Sequence, residues 1–181
     1  MPVFALKHAK KQIAAKDPCL TDEGLEEFEN LLKEKLGTVL TNLKVQQIFR
    51  GSGRRFEETY LAASYLFPGI PVKIFQMLGS EYSRVDIFID EEVSSNLVVE
   101  YKEVLVTTPG EVIKLDDFLS FDDPCFKGIA WECVQRIDEH FPGVTLLICT
   151  RDFFRSLGQQ ETAGFFLGFL DYERKKVHTI A

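Results

Sequence analysis

The sequence predicts a single α/β domain with a central mixed β-sheet flanked by helices. Segments with helical apolar stripes alternate along the chain with short apolar runs rich in β-branched residues, which is the order expected of such a fold. The 181 residues, 45% hydrophobic and 12% aromatic, suffice for one domain with a substantial core. We expect an N-terminal helical region at residues 1–50, a core at 51–150 and a C-terminal hairpin at 151–181.

Helices dominate the prediction for the N-terminal region. A short basic helix is expected at residues 7–16. A better defined helix is expected at 21–36, because Thr21 can cap its first turn, apolar residues recur at helical spacing, and Gly37 ends it. Residues 38–50 are ambiguous and are assigned as helical.

The predicted core begins with a helix at residues 53–67, which carries an apolar stripe and stops at Pro68. A core strand is expected at 72–77. A β-hairpin follows, with its strands at 84–90 and 96–102, and the second strand is apolar without alternation, as expected of a strand covered on both faces.

The C-terminal part reads as a helix, a strand and a hairpin. The helix is expected at about 126–140, and residues 144–150 form a strongly apolar strand. A strand, helix, strand order of this kind is typical of a right-handed parallel crossover. Two further strands, at 164–170 and 176–180, predict the terminal hairpin, whose phenylalanines are assigned to core packing.

The hairpin at residues 84–102 carries the clearest chemical pattern. Asp86 and Asp90 share one face of its first strand, and Glu100 and Lys102 share one face of the second. If residues 91–95 form the loop, Asp86 lies opposite Glu100, with Cβ atoms roughly 5 Å apart. Carboxylates at that distance repel unless a cation lies between them, and Mg²⁺ prefers such oxygen ligands. Alternatively, these side chains form ordinary surface pairs on the wet face of a sheet.

These motifs resemble the PD-(D/E)XK nuclease superfamily. The resemblance rests on Asp86, on the tripeptide Glu100-Tyr-Lys102 at the end of an apolar run, and on the preceding helix with Glu57. It implies a restriction-endonuclease-like fold. It also implies that Asp86, Glu100 and Glu57 ligate Mg²⁺ or Mn²⁺, with Asp90 as a reserve ligand, while Lys102 positions the nucleophile. Helical spacing favours Glu57 over its neighbour as the inward-facing acid, although both acids also suit a helix N-terminus.

Three arginines surround the turn before this helix, at Arg50, Arg54 and Arg55. A helix N-terminus offers free N–H groups and partial positive charge, so these residues are expected to contact a nucleic-acid phosphate. The alternative is that Ser52 or Gly53 caps the helix and the arginines are solvated.

Composition limits the classes of function. The net charge of −7 argues against affinity that rests on broad attraction to phosphate. The four cysteines form no CxxC pair and the three histidines are far apart, so no zinc site is predicted. Reduced thiols, with neither a secretory signal nor a membrane-spanning stretch, predict a cytoplasmic protein, or one of the nucleoid or nucleus, that is not secreted and has no membrane partner.

The sequence and the resemblance together predict a metal-dependent nuclease, an endonuclease or exonuclease, that acts on DNA in preference to RNA and that could work as a homodimer. The alternative is a non-catalytic α/β binding or assembly domain. In that case the acids and the lysine of the hairpin only form surface pairs.

Overall fold

Six strands form one mixed sheet in the part of the chain that the computed structural model describes, which is residues 2–11, 19–51, 53–74, 78, 124–159 and 164–181. The strands are β1 (Val3–Lys7), β2 (Gln47–Arg50), β3 (Val72–Ile74), β4 (Thr145–Cys149), β5 (Leu167–Asp171) and β6 (Lys176–Thr179).

The spatial order of the strands is β3-β2-β4-β1-β5-β6. Strands β1 to β4 run parallel to one another, with Val3 of β1 opposite Thr145 of β4. Strands β5 and β6 continue the sheet antiparallel, with Val3 also opposite Leu170 of β5. The first strand of the chain therefore lies inside the sheet, between two strands from the last quarter of the sequence.

Helices cover both faces of the sheet. On one face lie α1 (Asp22–Leu31), a π-helical turn at Leu32–Leu36, α2 (Gly37–Asn42) and α3 (Arg54–Ala63), which ends in a 3₁₀ turn at Ser64–Leu66. On the other face lie α4 (Pro124–His140) and α5 (Arg151–Ser156). None of the helices in the described ranges has the length and apolar character needed to cross a membrane.

Successive side chains of the central strands point to opposite faces of the sheet, so each strand contributes to the hydrophobic core on both faces. In β4, Leu146 and Ile148 pack toward α1, α2 and α3, whereas Leu147 and Cys149 pack toward α4 and α5. Every residue of this strand is buried. A strand covered on both faces needs apolar residues at successive positions, which explains the unbroken run of apolar residues in β4.

Much of the predicted fold is confirmed. The chain is an α/β protein with a central mixed sheet flanked by helices. The helix expected at 21–36 is present, and the Thr21 hydroxyl accepts a hydrogen bond from the Gly24 N–H at 3.0 Å. The helices expected at 53–67 and 126–140, the strand at 144–150 and the terminal hairpin also match, with shifted ends.

Two assignments in the N-terminal region are wrong. The basic helix expected from residue 7 is preceded by a strand that ends at Lys7, while residues 12–18 lie outside the described ranges. The second segment, 38–50, is helical only to Asn42 and then forms β2. Both strands are short, and their burial between neighbouring strands outweighs the helical propensity of the residues around them.

Candidate functional site

The carboxyl ends of β1, β2 and β4 meet at one edge of the sheet, because neighbouring parallel strands point the same way. The His8 N–H donates to the Cys149 carbonyl at 3.1 Å, and the Gly51 N–H donates to the Ile148 carbonyl at 3.2 Å. The residues that follow these three strands are thereby held side by side. Ligands of open α/β sheets commonly bind in a crevice at this edge.

A cleft of about 430 Å³ opens at this edge. Its walls come from the loop after β1, from α1, from the start of α5 and from the residues just before β5. The side chains that matter for its chemistry are Lys7, His8, Lys10, Lys11, Thr150 and Arg151, with Glu27 and Phe28 from α1. The cleft is therefore strongly cationic, although the whole chain carries a net charge of −7.

His8 is the buried imidazole of this cleft. Its Nδ1 lies 2.6 Å from the Ala9 carbonyl oxygen. A carbonyl oxygen only accepts, so Nδ1 carries the proton and Nε2 keeps a lone pair. The Phe56 ring packs edge-on against the imidazole, with 5.4 Å between ring centroids. No hydrogen bond engages Nε2 within the described parts of the chain. The ring is thus fixed in one tautomer beside the cleft.

The environment of His8 keeps the imidazole neutral. Burial is the largest cause and, together with the nearby charges of Arg55, Lys11 and Lys7, lowers its pKa from 6.5 to about 3; the Ala9 carbonyl opposes this shift. Burial and the neighbouring Arg151 also lower the pKa of Lys7. A neutral imidazole among cations, with one nitrogen that no described residue engages, is suited to nucleophilic attack on an anionic centre.

The lowered pKa of His8 predicts a loss of stability in acid. Between pH 6.5 and about 3, an unfolded His8 binds a proton that the folded one does not, so the free energy of unfolding falls as pH falls. The free energy of unfolding is expected to fall by at most about 1.4 kcal/mol per pH unit from this group. Urea unfolding from pH 7 to 4 should show the wild type losing this stability relative to His8→Asn. An equal slope in both proteins would contradict the shift.

Thr150 follows β4, which lies next to β1 in the sheet, just as His8 follows β1. It is buried, and its hydroxyl accepts a hydrogen bond from the Phe153 N–H at 3.2 Å, which caps α5. This cap fixes the turn between β4 and α5, and Arg151 begins the helix at the wall of the cleft.

The three arginines predicted to contact phosphate have different environments. Arg55 is only 2% exposed, and its guanidinium carbon lies 4.5 Å from the centre of the Phe56 ring. Its charge lowers the pKa of His8. Arg50 is largely buried, and its guanidinium nitrogen lies 3.6 Å from a carboxylate oxygen of Glu57. The side chain of Arg54 is 63% exposed and pairs along the helix with Glu58 at 3.7 Å. Their expected role as nucleic-acid contacts stays untested.

The orientation predicted for the acids of α3 is wrong. Glu57 was expected to face inward, but its side chain is 54% exposed. Glu58 is the more buried of the two, and its carboxylate accepts a hydrogen bond from the Leu20 N–H at 2.6 Å. Segment 19–21 packs beside α3 on that side, a contact that helical spacing alone does not reveal.

The other predicted site residues, Asp86, Asp90, Glu100 and Lys102, lie outside the described residues. The expected Mg²⁺ or Mn²⁺ site and the nucleic-acid partner therefore stay predictions. Among the residues that are described, no three His, Cys, Asp or Glu side chains come together as a metal site would require.

The residues that do meet in the cleft were missed from the sequence. In the sequence His8 is one of three histidines that are far apart, and Lys7, Lys10 and Lys11 fall within the short basic helix expected at residues 7–16. The available signal was the apolar run Val3-Phe4-Ala5-Leu6 followed at once by Lys7 and His8, which is the pattern of a buried strand with polar residues at its carboxyl end.

No protein-family model and no curated protein sequence matches this chain. Solved structures do match. A phosphoserine phosphatase from Entamoeba histolytica, in complex with 3-phosphoglyceric acid, has a TM-score of 0.59 at 8% identity, over 99% of this chain and 95% of that one. The protein histidine phosphatase SixA complexed with tungstate has a TM-score of 0.55 at 12% identity, over 100% and 95%. A mycobacterial glucosyl-3-phosphoglycerate phosphatase has a TM-score of 0.52 at 12% identity, over 99% of this chain and 95% of that one.

These similarities show that the chain shares its fold with these three phosphatases. The resemblance to PD-(D/E)XK nucleases and the metal-dependent nuclease activity are wrong, and the restriction-endonuclease-like fold is not confirmed. The error has a physical origin. Alternating acids and a lysine on two strands are a local pattern that many sheets share, whereas the order of the strands, with β1 between β4 and β5, depends on pairing between distant parts of the chain.

Proposed function

We propose that this chain is a phosphatase, which releases inorganic phosphate from a phosphorylated substrate by way of a phosphohistidine at His8. The observation that carries the proposal is the imidazole itself. His8 is buried at the carboxyl end of a central strand, its Nδ1 donates to Ala9, and cations surround it. The fold shared with proteins named as phosphatases supports the same chemistry.

The reaction follows from this arrangement. Nε2 of His8 attacks the phosphorus atom, the bond from phosphorus to the leaving oxygen breaks, and that oxygen takes a proton from solvent water as it departs. Water then attacks the phosphorus of the phosphohistidine, the N–P bond breaks, and phosphate leaves with Nε2 regenerated. The Ala9 carbonyl, hydrogen-bonded to Nδ1–H, stabilises the positive charge that the ring acquires during attack.

The cations of the cleft suit the charge of the transferred group. Phosphoryl transfer requires positioning and neutralisation of the negative charge on the equatorial oxygens. Lys7 and Lys11 line the cleft, and Arg55 is buried outside its lining. Each of the three lies close enough to His8 to lower its pKa, so each is also close enough to attract an anion beside it. The cleft of about 430 Å³ leaves room for a leaving group beyond the phosphoryl group.

The proposal is tested by turnover and by trapping of the intermediate. The pure protein is incubated with p-nitrophenyl phosphate, phosphoserine and a phosphohistidine peptide, and phosphate release is measured. After rapid denaturation with radiolabelled substrate, the label should remain in alkali and be lost in acid, as expected of phosphohistidine. Tungstate, an analogue of phosphate, should inhibit competitively. Absence of both turnover and labelling across these substrates would overturn the proposal.

A further inference from the structure

Ala9, whose carbonyl accepts the hydrogen bond from His8, is itself held by a second residue. The Ala9 carbonyl accepts from Nδ1 of His8 at 2.6 Å, and the Ala9 N–H donates to the hydroxyl of Thr59 at 3.2 Å. Both polar backbone groups of Ala9 are therefore engaged. Thr59 lies on α3, fifty residues away along the sequence, and is fully buried.

The hydroxyl of Thr59 is oriented for this contact. Its proton goes to the Arg55 carbonyl, with 2.7 Å between the oxygens, so a lone pair remains to accept from Ala9. Threonines within helices often donate to the carbonyl four residues earlier. Thr41 makes this common bond to Gly37 at 2.8 Å, whereas Thr59 adds to it a hydrogen bond to the loop that follows β1.

The rest of the loop is anchored from the opposite side. The Lys10 carbonyl accepts from the Thr21 N–H at 3.0 Å, and the Lys10 ammonium pairs with Glu23. Ala9 is therefore the link between a loop fixed on α1 and the helix that carries Arg55 and Phe56. One turn of α3 thereby contributes an edge-on ring, a nearby cation and, through Ala9, the hydrogen-bond acceptor of the imidazole.

We propose that Thr59 is a positioning residue for His8: it holds Ala9 so that Nδ1 stays protonated and Nε2 is presented to the cleft. This inference rests on the proposed phosphatase function for its kinetic consequence, but not for its structural one. Without the hydroxyl, the Ala9 N–H loses its partner in a buried place and the loop shifts to satisfy it. The imidazole then loses its fixed acceptor and samples both tautomers.

The direct test is the tautomer of His8, measured by nitrogen NMR on protein with ¹⁵N-labelled histidine rings, with His8 assigned by its absence in His8→Asn. The wild type should show Nδ1–H alone at neutral pH. Thr59→Val should show a mixture of tautomers, and Thr59→Ser, which keeps the hydroxyl, should restore the wild-type pattern. Thr41→Val is the matched control, because it removes the same bond within a helix but has no link to Ala9.

Kinetics give the second readout. Thr59→Val should lower kcat for p-nitrophenyl phosphate by about 10- to 100-fold, as expected when a nucleophile is misplaced, with KM little changed. Thr59→Ser and Thr41→Val should stay close to the wild type. If Thr59→Val does not give folded protein, Thr59→Ala is used with the same expectations, because a smaller side chain is accommodated more readily.

The outcomes separate this inference from the proposed function. Wild-type tautomer and kcat in Thr59→Val, or equal losses in Thr59→Ser, would overturn the role of Thr59 while leaving the phosphatase proposal intact. If the wild type releases no phosphate, yet the His8 tautomer depends on the Thr59 hydroxyl, the positioning role stands and the proposed function fails.

Discussion

Asparagine in place of His8 is expected to abolish phosphate release, lowering kcat by at least about 10³-fold, because loss of the nucleophile removes the covalent route. The amide of asparagine is polar and close in size to the imidazole, so the cleft should keep its shape and still bind tungstate. Phosphate release and labelling from radiolabelled substrate are the measurements, and labelling should disappear.

The matched control for His8 is His140. Its Nδ1 also lies near a backbone carbonyl, that of Arg136 at 3.0 Å, but it is exposed at the end of α4. His140→Asn should retain full turnover and labelling. Turnover or acid-labile label that persists in His8→Asn would show that His8 is not the nucleophile.

Methionine in place of Arg55 is expected to lower kcat/KM by about 10²-fold or more. This residue supplies a buried charge beside the nucleophile, and charges that face a transition state from a dry site are worth several kcal/mol. Methionine fills a similar volume without the charge. The pKa of His8 should rise, because the nearby charge of Arg55 lowers it. Kinetics and an NMR titration of His8 measure both effects.

The residue before it gives the control. Arg54→Met removes a charge from the same helix turn, but this side chain is 63% exposed and pairs with Glu58. Charges so exposed are screened by solvent, so only a small effect on kcat/KM and no change in the pKa of His8 are expected. Equal kinetic losses in the two variants would mean that Arg55 acts only through the overall charge of the region.

The elements best predicted from the sequence are those with strong local signals. Helix α1 has a capping threonine and an apolar stripe, and β4 has five successive buried residues, so each could be assigned without knowledge of its neighbours. Strands β1 and β2 are not predicted, because each adjoins residues with helical propensity. Such segments become strands through pairing with β4, and periodicity within a short window does not report that pairing.

The candidate site was harder to predict than the fold for the same reason. His8, Arg55 and Thr150 come from three separate segments that only the parallel order of β1, β2 and β4 brings together. A single histidine with lysines around it has no distinctive spacing. The acids between residues 84 and 102 do have such a spacing, and it indicates the PD-(D/E)XK nucleases, which is the wrong family.

The place of β1 in the sheet also governs how the protein reaches its native state. Val3 pairs with Thr145 on one side and with Leu170 on the other, so β1 finds its neighbours only after residues 145–170 have been synthesised. Contacts between such distant segments carry a large loop-closure cost and slow the folding of a domain. Until then the apolar side chains of β1 have no partner strands, which favours association with other chains or with a chaperone. Assembly of the His8 cleft is therefore expected among the last events of folding, so an unfinished chain would have no activity.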